Sequence, residues 1–598
     1  MTFLLTRLPP SDSQASRFGH YDNAAQHTRF GPGGLSPQFD AESAVAGWTS
    51  DEQTYASTSP AIVVYGWPLA PYSDDSALWD GDSRSRPLSA QQVAGFVATN
   101  GFESIENLRG SFVVVAAYGP DSVDCYRSRA GGRTCYWGGG PGKWAISDSA
   151  ADVAQTRDSL LRENPRWLAR FFTLSTRFSA GLTPFEGVRE LMPGEHLAIS
   201  ADRISTRRTP LALTLDDQPR QISDWVDAFG ERLDRAVTDC LPAERPAAIM
   251  LSGGMDSGPA AVVAAQIAVE HAMPLHAVSW RIKGFPECNE WAWISMLAGH
   301  LGLDLIEIDA ESHLPFSSLA SDQVDSDSPI YNAFRLLILA CYENARQLDC
   351  SVILNASSGD ALYPPPGRAL VDNIAHADAP SAIRQISAIF RHYGPLRLHR
   401  AAELRGLARV LVPRRLAKHS VPAWLTDSAK RHLQVTDPWP PECERTLHPD
   451  FGRQLFGPMA SGGAAREVRF SQRHGIDRRD PYLDPDLRRL MLQVPHALIH
   501  RRGTTKWIAR EAMRGRMPEA FRTKPRTGLL NAFFNHGFDR NREEIRAFLM
   551  DQRMLWAPWI KPDYLKATLE GKSSEERPRL VAGACIGYVL WKKRIGEE

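Results

Sequence analysis

The sequence has few cysteines, no excess of either charge and no long apolar run. Only eight of its 598 residues are cysteine and none has CxxC spacing, so we expect reduced, buried thiols and neither a disulfide framework nor a zinc site. Lys plus Arg and Asp plus Glu both number 69, so no global field favours nucleic acid or an anionic membrane as a partner. No apolar run approaches the roughly 20 residues of a membrane span, and Met1–Pro10 lacks the pattern of a signal peptide. We therefore expect a soluble, cytoplasmic protein.

Residues 1–205 predict a first domain of α+β type. Short β-type runs are separated by Gly-containing turns, and helical patterns lie near Ala90–Thr99 and Arg166–Phe171. The β-type runs are Ala61–Tyr65, Ser111–Tyr118, Lys143–Ile146 and His196–Ile199. Residues 206–219, which include Pro210–Pro219, predict a linker.

Residues 220–598 predict a second domain of α/β type. Apolar runs alternate with helical segments, and this order predicts a parallel sheet with helices on both faces. The apolar runs are Ala247–Leu251, Leu275–Trp280, Asp304–Ile308 and Val352–Asn355, and the helical segments are Pro259–His271, Glu290–Leu301 and Ala333–Gln347. After about residue 375 the pattern predicts mostly helix, with an irregular stretch at Pro413–Pro441.

The segment Ser252–Ser257, S-G-G-M-D-S, follows the first of these strands and begins a helix. Gly253 and Gly254 let the backbone approach a ligand and turn its N–H groups toward it, while the two serines add hydroxyl donors. The helix directs its positive dipole end to the same point, so the loop suits a pyrophosphate. Asp256 would repel phosphate, which favours a Mg²⁺ ion between them. A lone S-G-G is often an ordinary tight turn, but the full pattern is more specific and differs from the G-x-x-x-x-G-K-[ST] loop.

The sequence resembles the asparagine-synthetase superfamily, whose ATP-pyrophosphatase domain carries SGGxDS. Further segments resemble its motifs in the same order: Asn355–Tyr363 around Asp360, Ile476–Asp484, Thr505–Met513, and Phe521–Gly528. The resemblance implies an enzyme that cleaves ATP between the α- and β-phosphates, joins AMP to a carboxylate and lets an amine displace the AMP. ATP and Mg²⁺ are thus the expected cofactors.

The same resemblance implies roles for individual residues. Asp256 and Asp360 are expected to hold Mg²⁺, and Lys524 and Lys506 are the candidate cations for the charge that develops on the phosphoryl oxygens and on departing pyrophosphate. The candidate backbone partners of adenine are Met250 and Val278, at the strand ends beside the loop. A structural ion pair and a substrate contact are equal alternatives for Arg478.

The first domain resembles the glutaminase domain of asparagine synthetases but lacks its chemistry. Leu108–Phe112, Thr183–Val188 and Leu191–Gly194 match its structural motifs, which implies a degenerate N-terminal-nucleophile sandwich. In that family Cys follows Met1, whereas this chain has Thr2, and the glutamine-binding segments have no closer counterpart than Tyr65–Pro68. Because nucleophile and binding residues are missing together, we expect no glutaminase activity and an amine from another source.

Ser357, three residues before Asp360, favours one branch of the superfamily. Asparagine synthetases carry Glu at this position and β-lactam synthetases carry Tyr, each tied to amine handling. A small serine leaves room for a bulky substrate and supplies no strong base, which suits a peptide α-amine with an intrinsic pKa near 8. The chain therefore most resembles lasso-peptide cyclases, which join an Asp or Glu side chain of a precursor core peptide to its N-terminal amine. The resemblance implies a leader-binding protein and a cysteine protease as partners.

Two other readings stay open. One is a β-lactam-synthetase-like or asparagine-synthetase-like amide ligase acting on a small molecule. The other is an inactive scaffold, against which the presence of Asp256, Asp360 and Lys524 argues. The identity of the peptide, its ring size, the choice of Asp or Glu and the oligomeric state are not encoded in any pattern that we recognise.

Overall fold

The computed structural model describes most of the chain from residue 61 onward and short strands before it. The described residues are 2–7, 25–31, 34–36, 45–46, 61–71, 86–119, 121–157, 161–174, 181–209, 221–363, 421–433, 449–456, 458–501, 504–524 and 530–597, with isolated residues between 370 and 395. The predicted linker at Pro210–Pro219, most of the irregular stretch at Pro413–Pro441 and the part of the last motif after Lys524 lie outside them.

The N-terminal half contains two six-stranded sheets. The first has the order β10-β8-β9-β1-β2-β3 and the second β12-β11-β7-β6-β5-β4. The strands are β1 Thr2–Arg7, β2 Ala25–Gly31, β3 Gly34–Ser36, β4 Val45–Ala46, β5 Ala61–Leu69, β6 Arg109–Gly119, β7 Ser122–Arg127, β8 Tyr136–Gly140, β9 Lys143–Ser147, β10 Val188–Glu190, β11 Glu195–Ile199 and β12 Ile204–Arg208. The helices are α1 Ala90–Asn100, α2 Ala150–Arg157 and α3 Pro165–Phe171.

The sequence pattern found four strands of this half and missed others. The four predicted β-runs lie within β5, β6, β9 and β11, and the two helical patterns correspond to α1 and α3. Strands β7, β8 and β12 are absent from the prediction because their residues are polar or glycine-rich and gain their place by pairing with neighbours.

A five-stranded, wholly parallel sheet forms the centre of the second half, and this confirms the predicted parallel sheet. Its order is β15-β14-β13-β16-β17. The strands are β13 Ala247–Met250, β14 Leu275–Arg281, β15 Asp304–Asp309, β16 Val352–Leu354 and β17 Asp477–Arg479. Since β13 lies between β14 and β16, the chain segments that leave β13 and β16 emerge side by side at the carboxyl edge.

Helices cover this sheet and form the C-terminal part. Those around the sheet are α4 Ile222–Cys240, α5 Ser257–Glu270, α6 Trp291–Leu301, α7 Arg335–Gln347 and α8 Gly359–Leu362. The later ones are α9 Asp427–Arg431, α10 Pro449–Phe456, α11 Pro458–Arg473, α12 Pro485–Gln493, α13 His496–Ile499, α14 Trp507–Ala512, α15 Glu519–Thr523, α16 Asn531–Arg540, α17 Arg542–Asp551, α18 Arg553–Trp556, α19 Pro562–Leu569 and α20 Glu576–Glu597. None of the described helices has the length and apolarity to span a membrane.

The two halves share buried surface. Trp67 and Leu69 of β5 belong to the same hydrophobic core as helices α4, α5 and α12 of the second half. A second core joins α2 and α3 to the C-terminal helices, where the indole of Trp591 donates a hydrogen bond to the carbonyl of Ser326 at 2.6 Å. The seven described cysteines are buried and free, as expected from their spacing.

Candidate adenylation site

The Ser252–Ser257 loop joins β13 to α5 and is held by its two serines. The amide of Ser252 donates to the hydroxyl of Ser257 at 2.9 Å, and the Ser257 hydroxyl donates to the Ser252 carbonyl at 3.0 Å. The amide of Gly254 donates to the Ser252 hydroxyl at 3.1 Å. Ser252 is exposed whereas Ser257 is buried, so the loop presents one serine and uses the other as an internal brace. The α5 helix begins at this loop and directs its N-terminal end toward it.

Close packing requires glycine at positions 253 and 359, in the loops that carry Asp256 and Asp360. A Cβ added at Gly253 would lie 2.7 Å from the Cβ of Glu290, and one at Gly359 would lie 2.7 Å from Oδ1 of Asp256. Gly359 begins α8 directly before Asp360. The absence of a side chain there lets the loop after β16 lie against the loop after β13, which brings the two aspartates to one place.

Asp256 and Asp360 both bind the ammonium group of Lys506. Nζ of Lys506 lies 2.5 Å from Oδ2 of Asp256 and 2.9 Å from Oδ1 of Asp360. Asp360 is open to solvent with 86% of its side chain exposed, whereas that of Asp256 is 21% exposed. Burial raises the pKa of Asp256, and the charge of Lys506 opposes that rise. The ammonium of Lys506, a residue predicted to lie beside the phosphates, thus lies between the two carboxylates predicted to hold Mg²⁺.

The two carboxylates fit a hard divalent cation. Oδ2 of Asp256 and Oδ1 of Asp360 are directed to the same place, where both contact the ammonium of Lys506. Carboxylate oxygens together with phosphate oxygens are the ligands that Mg²⁺ prefers. Asp256 and Asp360 would hold such an ion, as the resemblance implied.

Lys524 is buried against two aromatic rings. Its side chain is only 5% exposed, and its Nζ has no hydrogen-bond partner among the described residues. The ammonium lies 4.0 Å from the ring centroid of Phe521 and 4.9 Å from that of Trp293. Burial lowers the pKa of Lys524 to about 8, Glu290 opposes this shift, and Arg510 adds to it. A buried ammonium with no anion bound to it is a strong candidate for the recognition of developing negative charge.

Ser357 is exposed on the loop after β16 and is held by Arg478. Nη2 of Arg478 donates to the Ser357 hydroxyl at 2.7 Å and to Oδ1 of Asn355 at 2.9 Å. Asn355 Oδ1 also accepts from the Ser357 amide at 2.7 Å. Arg478 itself is 5% exposed, and its hydrogen bonds hold the Asn355 and Ser357 side chains in place.

Asp480 and Tyr482 support the site from the segment that follows β17, and neither was predicted as an individual site residue. Asp480 Oδ2 accepts from the Ser358 amide at 2.9 Å, and the hydroxyl of Tyr482 donates to the Asp256 carbonyl at 2.6 Å. Both lie in the Ile476–Asp484 motif, which was recognised as a whole. The signal that identifies them is strand adjacency: β17 pairs with β16, and only the three-dimensional order of strands reveals this.

Met250 and Val278 do not have equivalent positions. Met250 is the last residue of β13, and its sulfur lies 3.0 Å from Nδ2 of Asn355. Val278 pairs with Met250 but lies in the middle of β14, which continues to Arg281, so its predicted place at a strand end is wrong. Its carbonyl accepts from the Leu251 amide at 3.0 Å.

The segment Tyr65–Pro68 lies at the junction between the two halves. Trp67 packs under Arg479, whose guanidinium lies 4.7 Å from the indole centroid. Arg133 forms an ion pair with Asp477, and Arg109 with Asp239. A cavity of about 30 Å³ lies at this junction and is lined by Trp67, Arg133, Asp239, Arg479 and neighbouring residues. The segment Tyr65–Pro68, the nearest counterpart of a glutamine-binding segment in the sequence, thus packs against the second half of the chain.

Comparison with known proteins gives one strong match. The family model of asparagine synthase matches residues 228–585, more than half of the chain and the whole of the site described above. None of the curated proteins matches. Among solved structures, a glutamine phosphoribosylpyrophosphate (PRPP) amidotransferase from B. subtilis complexed with ADP and GMP matches at 10% identity, with 51% of this chain and 72% of that chain covered and a TM-score of 0.16. A likeness of that TM-score is too low to support a conclusion about this chain.

Proposed function

The chain belongs to the asparagine synthase family, a family of ATP-dependent ligases that form C–N bonds, and from this we propose that it is an AMP-forming cyclase of lasso peptides. It activates an Asp or Glu side-chain carboxylate of a precursor core peptide as an acyl-adenylate. The N-terminal amine of the same peptide then displaces AMP and closes a macrolactam ring.

The observation that carries the adenylation step is the meeting of three features at one sheet edge. These are the serine-braced loop at the start of α5, the two carboxylates of Asp256 and Asp360, and the buried cation of Lys524. Phe521, whose ring centroid lies 4.0 Å from Nζ of Lys524, packs against Gly258 at the start of α5. The loop provides amide and hydroxyl donors for a pyrophosphate. Mg²⁺, when bound by the two carboxylates, supplies charge neutralisation for the phosphate oxygens.

Lys524 is assigned to the charge that develops during adenylation. A carboxylate oxygen of the peptide forms a bond to the α-phosphorus of ATP while the bond to the β-phosphate oxygen breaks, and pyrophosphate leaves. Negative charge grows on the leaving group, and a preorganised ammonium in an apolar pocket stabilises it more than water does. The rings of Phe521 and Trp293 keep water from Lys524 without offering it an anion.

Ser357 supports a peptide amine as the acceptor. The amine nitrogen forms a bond to the acyl carbon, loses its proton to solvent or buffer, and AMP departs with the former carboxyl oxygen. A peptide α-amine is partly neutral near pH 7 and needs little help with this deprotonation. The exposed Ser357 offers a small hydroxyl, already accepting a hydrogen bond from Arg478, and so leaves space for the peptide.

Threading of the tail through the nascent ring requires the substrate to be held in a folded shape. Such holding converts a rare encounter into a near-attack geometry, which is where an enzyme gains most by proximity. A leader-binding protein would deliver the precursor, and a cysteine protease would free its N-terminal amine. The first half of the chain acts as a structural support for the synthetase half, in keeping with the buried contacts of Trp67.

The test is tandem mass spectrometry of a core peptide encoded beside the gene, incubated with this protein, its protease partner and Mg-ATP. The account predicts loss of one water, located between the N-terminus and an Asp or Glu side chain, and resistance of the product to carboxypeptidase. Loss located at the C-terminal carboxylate would reject the cyclase assignment while the adenylating ligase stands. Conversion of a small N-carboxyalkyl amino acid instead would favour the β-lactam type.

A further inference from the structure

Lys506 occupies the place between the two carboxylates that a divalent cation would need. Its ammonium is within 2.9 Å of both Asp256 and Asp360, and 18% of its side chain is exposed. The backbone of Lys506 is left-handed, with φ of 55° directly before α14. A left-handed lysine is uncommon, and such residues persist where the surrounding structure holds them for a function.

Asp256 has one accessible carboxylate oxygen, and Lys506 binds it. Oδ1 is buried and faces Gly359, where even a Cβ would lie 2.7 Å away. Oδ2 faces the site and accepts from Lys506 at 2.5 Å. A metal ion that joins Asp256 to Asp360 must therefore take the oxygen that the ammonium holds. Two cations within a few ångströms of one another also repel. Binding of Lys506 and of a metal ion to the same carboxylates is therefore unfavourable.

We propose that Lys506 and a divalent cation compete for Asp256 and Asp360, so that the free metal binds weakly and the metal enters together with the nucleotide. This inference rests on the proposed metal site of the adenylation reaction. It goes further, because it assigns to Lys506 control over the order in which the site fills. Sequence similarity implied only that this lysine is a cation near the phosphates.

The coupling to the nucleotide follows from the partners that Lys506 has. If a metal takes the carboxylates, the remaining described neighbour of the ammonium is the ring of Tyr363, with its centroid 5.2 Å from Nζ. A ring face is a weaker partner than two carboxylates. Phosphate oxygens of ATP offer the displaced ammonium a new anionic partner. Displacement is therefore costly without nucleotide and favourable with it, and by linkage metal and nucleotide each strengthen the binding of the other.

The experiment measures Mn²⁺ binding to the full-length protein by the electron paramagnetic resonance signal of the free ion. It is done without nucleotide and with α,β-methylene-ATP, in which the bond between the α- and β-phosphates cannot be cleaved. Wild type is compared with Lys506→Met and with the matched control Lys283→Met. Lys283 also pairs with a carboxylate, Glu307 at 3.3 Å, and also lies just beyond a carboxyl strand end of the sheet.

The proposal predicts that without nucleotide Lys506→Met binds Mn²⁺ about two- to fivefold more tightly than wild type, the size of one partly screened ion pair. The Lys283→Met control should match wild type. The nucleotide analogue should raise Mn²⁺ affinity more in wild type than in Lys506→Met. Equal or weaker Mn²⁺ binding by Lys506→Met would overturn the competition. If Lys506→Met does not fold, Lys506→Gln provides the same comparison with a neutral polar side chain.

The same data separate this inference from the function on which it rests. If Mn²⁺ binds both proteins equally and binds tightly with the nucleotide analogue, the metal site stands and the role of Lys506 is rejected. If no Mn²⁺ binds to wild type or variant in either condition, the metal assignment fails and the inference fails with it. Neither outcome depends on turnover, so the unidentified peptide is not needed.

Discussion

Lys506 and Lys524 are two lysines of one site with opposite surroundings. Lys506 contacts two carboxylates, whereas Lys524 is enclosed by aromatic rings and has a pKa lowered to about 8 by burial. Burial without a bound anion makes a lysine lose its charge at lower pH than usual. The pH dependence of adenylation should therefore report Lys524.

The first prediction is that kcat/KM for ATP in ATP–pyrophosphate exchange falls as pH rises above about 8. The sign follows from the lowered pKa: the ammonium of Lys524 is present below about 8 and is lost above it. Exchange measures adenylation without the amine, whose own deprotonation would raise the later rate in the same pH range. Lys524→Arg, which stays charged, should shift the fall to higher pH. An unchanged profile in that variant would assign the titration to another group.

Removal of the Lys524 charge tests the role of this residue in a second way. Lys524→Ala should lower kcat of exchange by about two to three orders of magnitude with ATP binding nearly unchanged, because the lost interaction belongs to the transition state. The matched change Ser357→Ala should lower amide formation by less than about tenfold, since Ser357 is assigned to substrate space. A large and equal loss in both variants would contradict the division of roles.

At the scale of elements, the site exists because two loops of adjacent parallel strands pack without side chains between them. A Cβ at Gly359 would lie 2.7 Å from Oδ1 of Asp256, so the second prediction is that Gly359→Ala pushes the two aspartates apart. Activity should fall by about tenfold or more, since small misplacement of reacting groups is costly. The control is Gly95→Ala in α1. An added Cβ there would have no atom within 4 Å apart from its chain neighbours and the backbone of its own helix, so activity should be retained. ATP–pyrophosphate exchange is measured for both variants. Full activity of Gly359→Ala would contradict the prediction, because it would show that the two loops accommodate the added methyl group.

The elements show what a sequence can and cannot predict. The four strands from β13 to β16 and the helices between them were predicted because short apolar runs alternate regularly with helical segments. Strand β17 was not predicted, since Asp477–Arg479 is wholly charged and its burial depends on Arg133, Ser351 and other partners distant in the chain. For the same reason Asp480 and Tyr482 were not seen as site residues. The placement of Lys506 between the aspartates also depends on tertiary structure, because no local pattern fixes which anion a lysine meets.

At the scale of the whole molecule, the N-terminal half is joined to the synthetase half by buried groups. Trp67, 6% exposed, packs into the core of the second half and lies under Arg479, next to the motif that supports Ser358. The third prediction is that Trp67→Ala destabilises the protein by about 3–5 kcal/mol, as expected for a large buried aromatic. Ligase activity should fall together with the melting temperature. Met554→Ala, at a side chain 86% exposed, is the control and should change neither. Retained stability in Trp67→Ala would mean that the halves are joined elsewhere.

The central claim is that this site joins AMP to a peptide carboxylate. The most direct measurement is chromatographic analysis of nucleotides after incubation of the full-length protein with Mg-ATP and the core peptide. The account predicts AMP and pyrophosphate in equal amounts, dependent on peptide and largely abolished by Asp256→Asn and by Asp360→Asn, because each change removes one of the two carboxylates assigned to the metal. ADP and phosphate as the main products would contradict it.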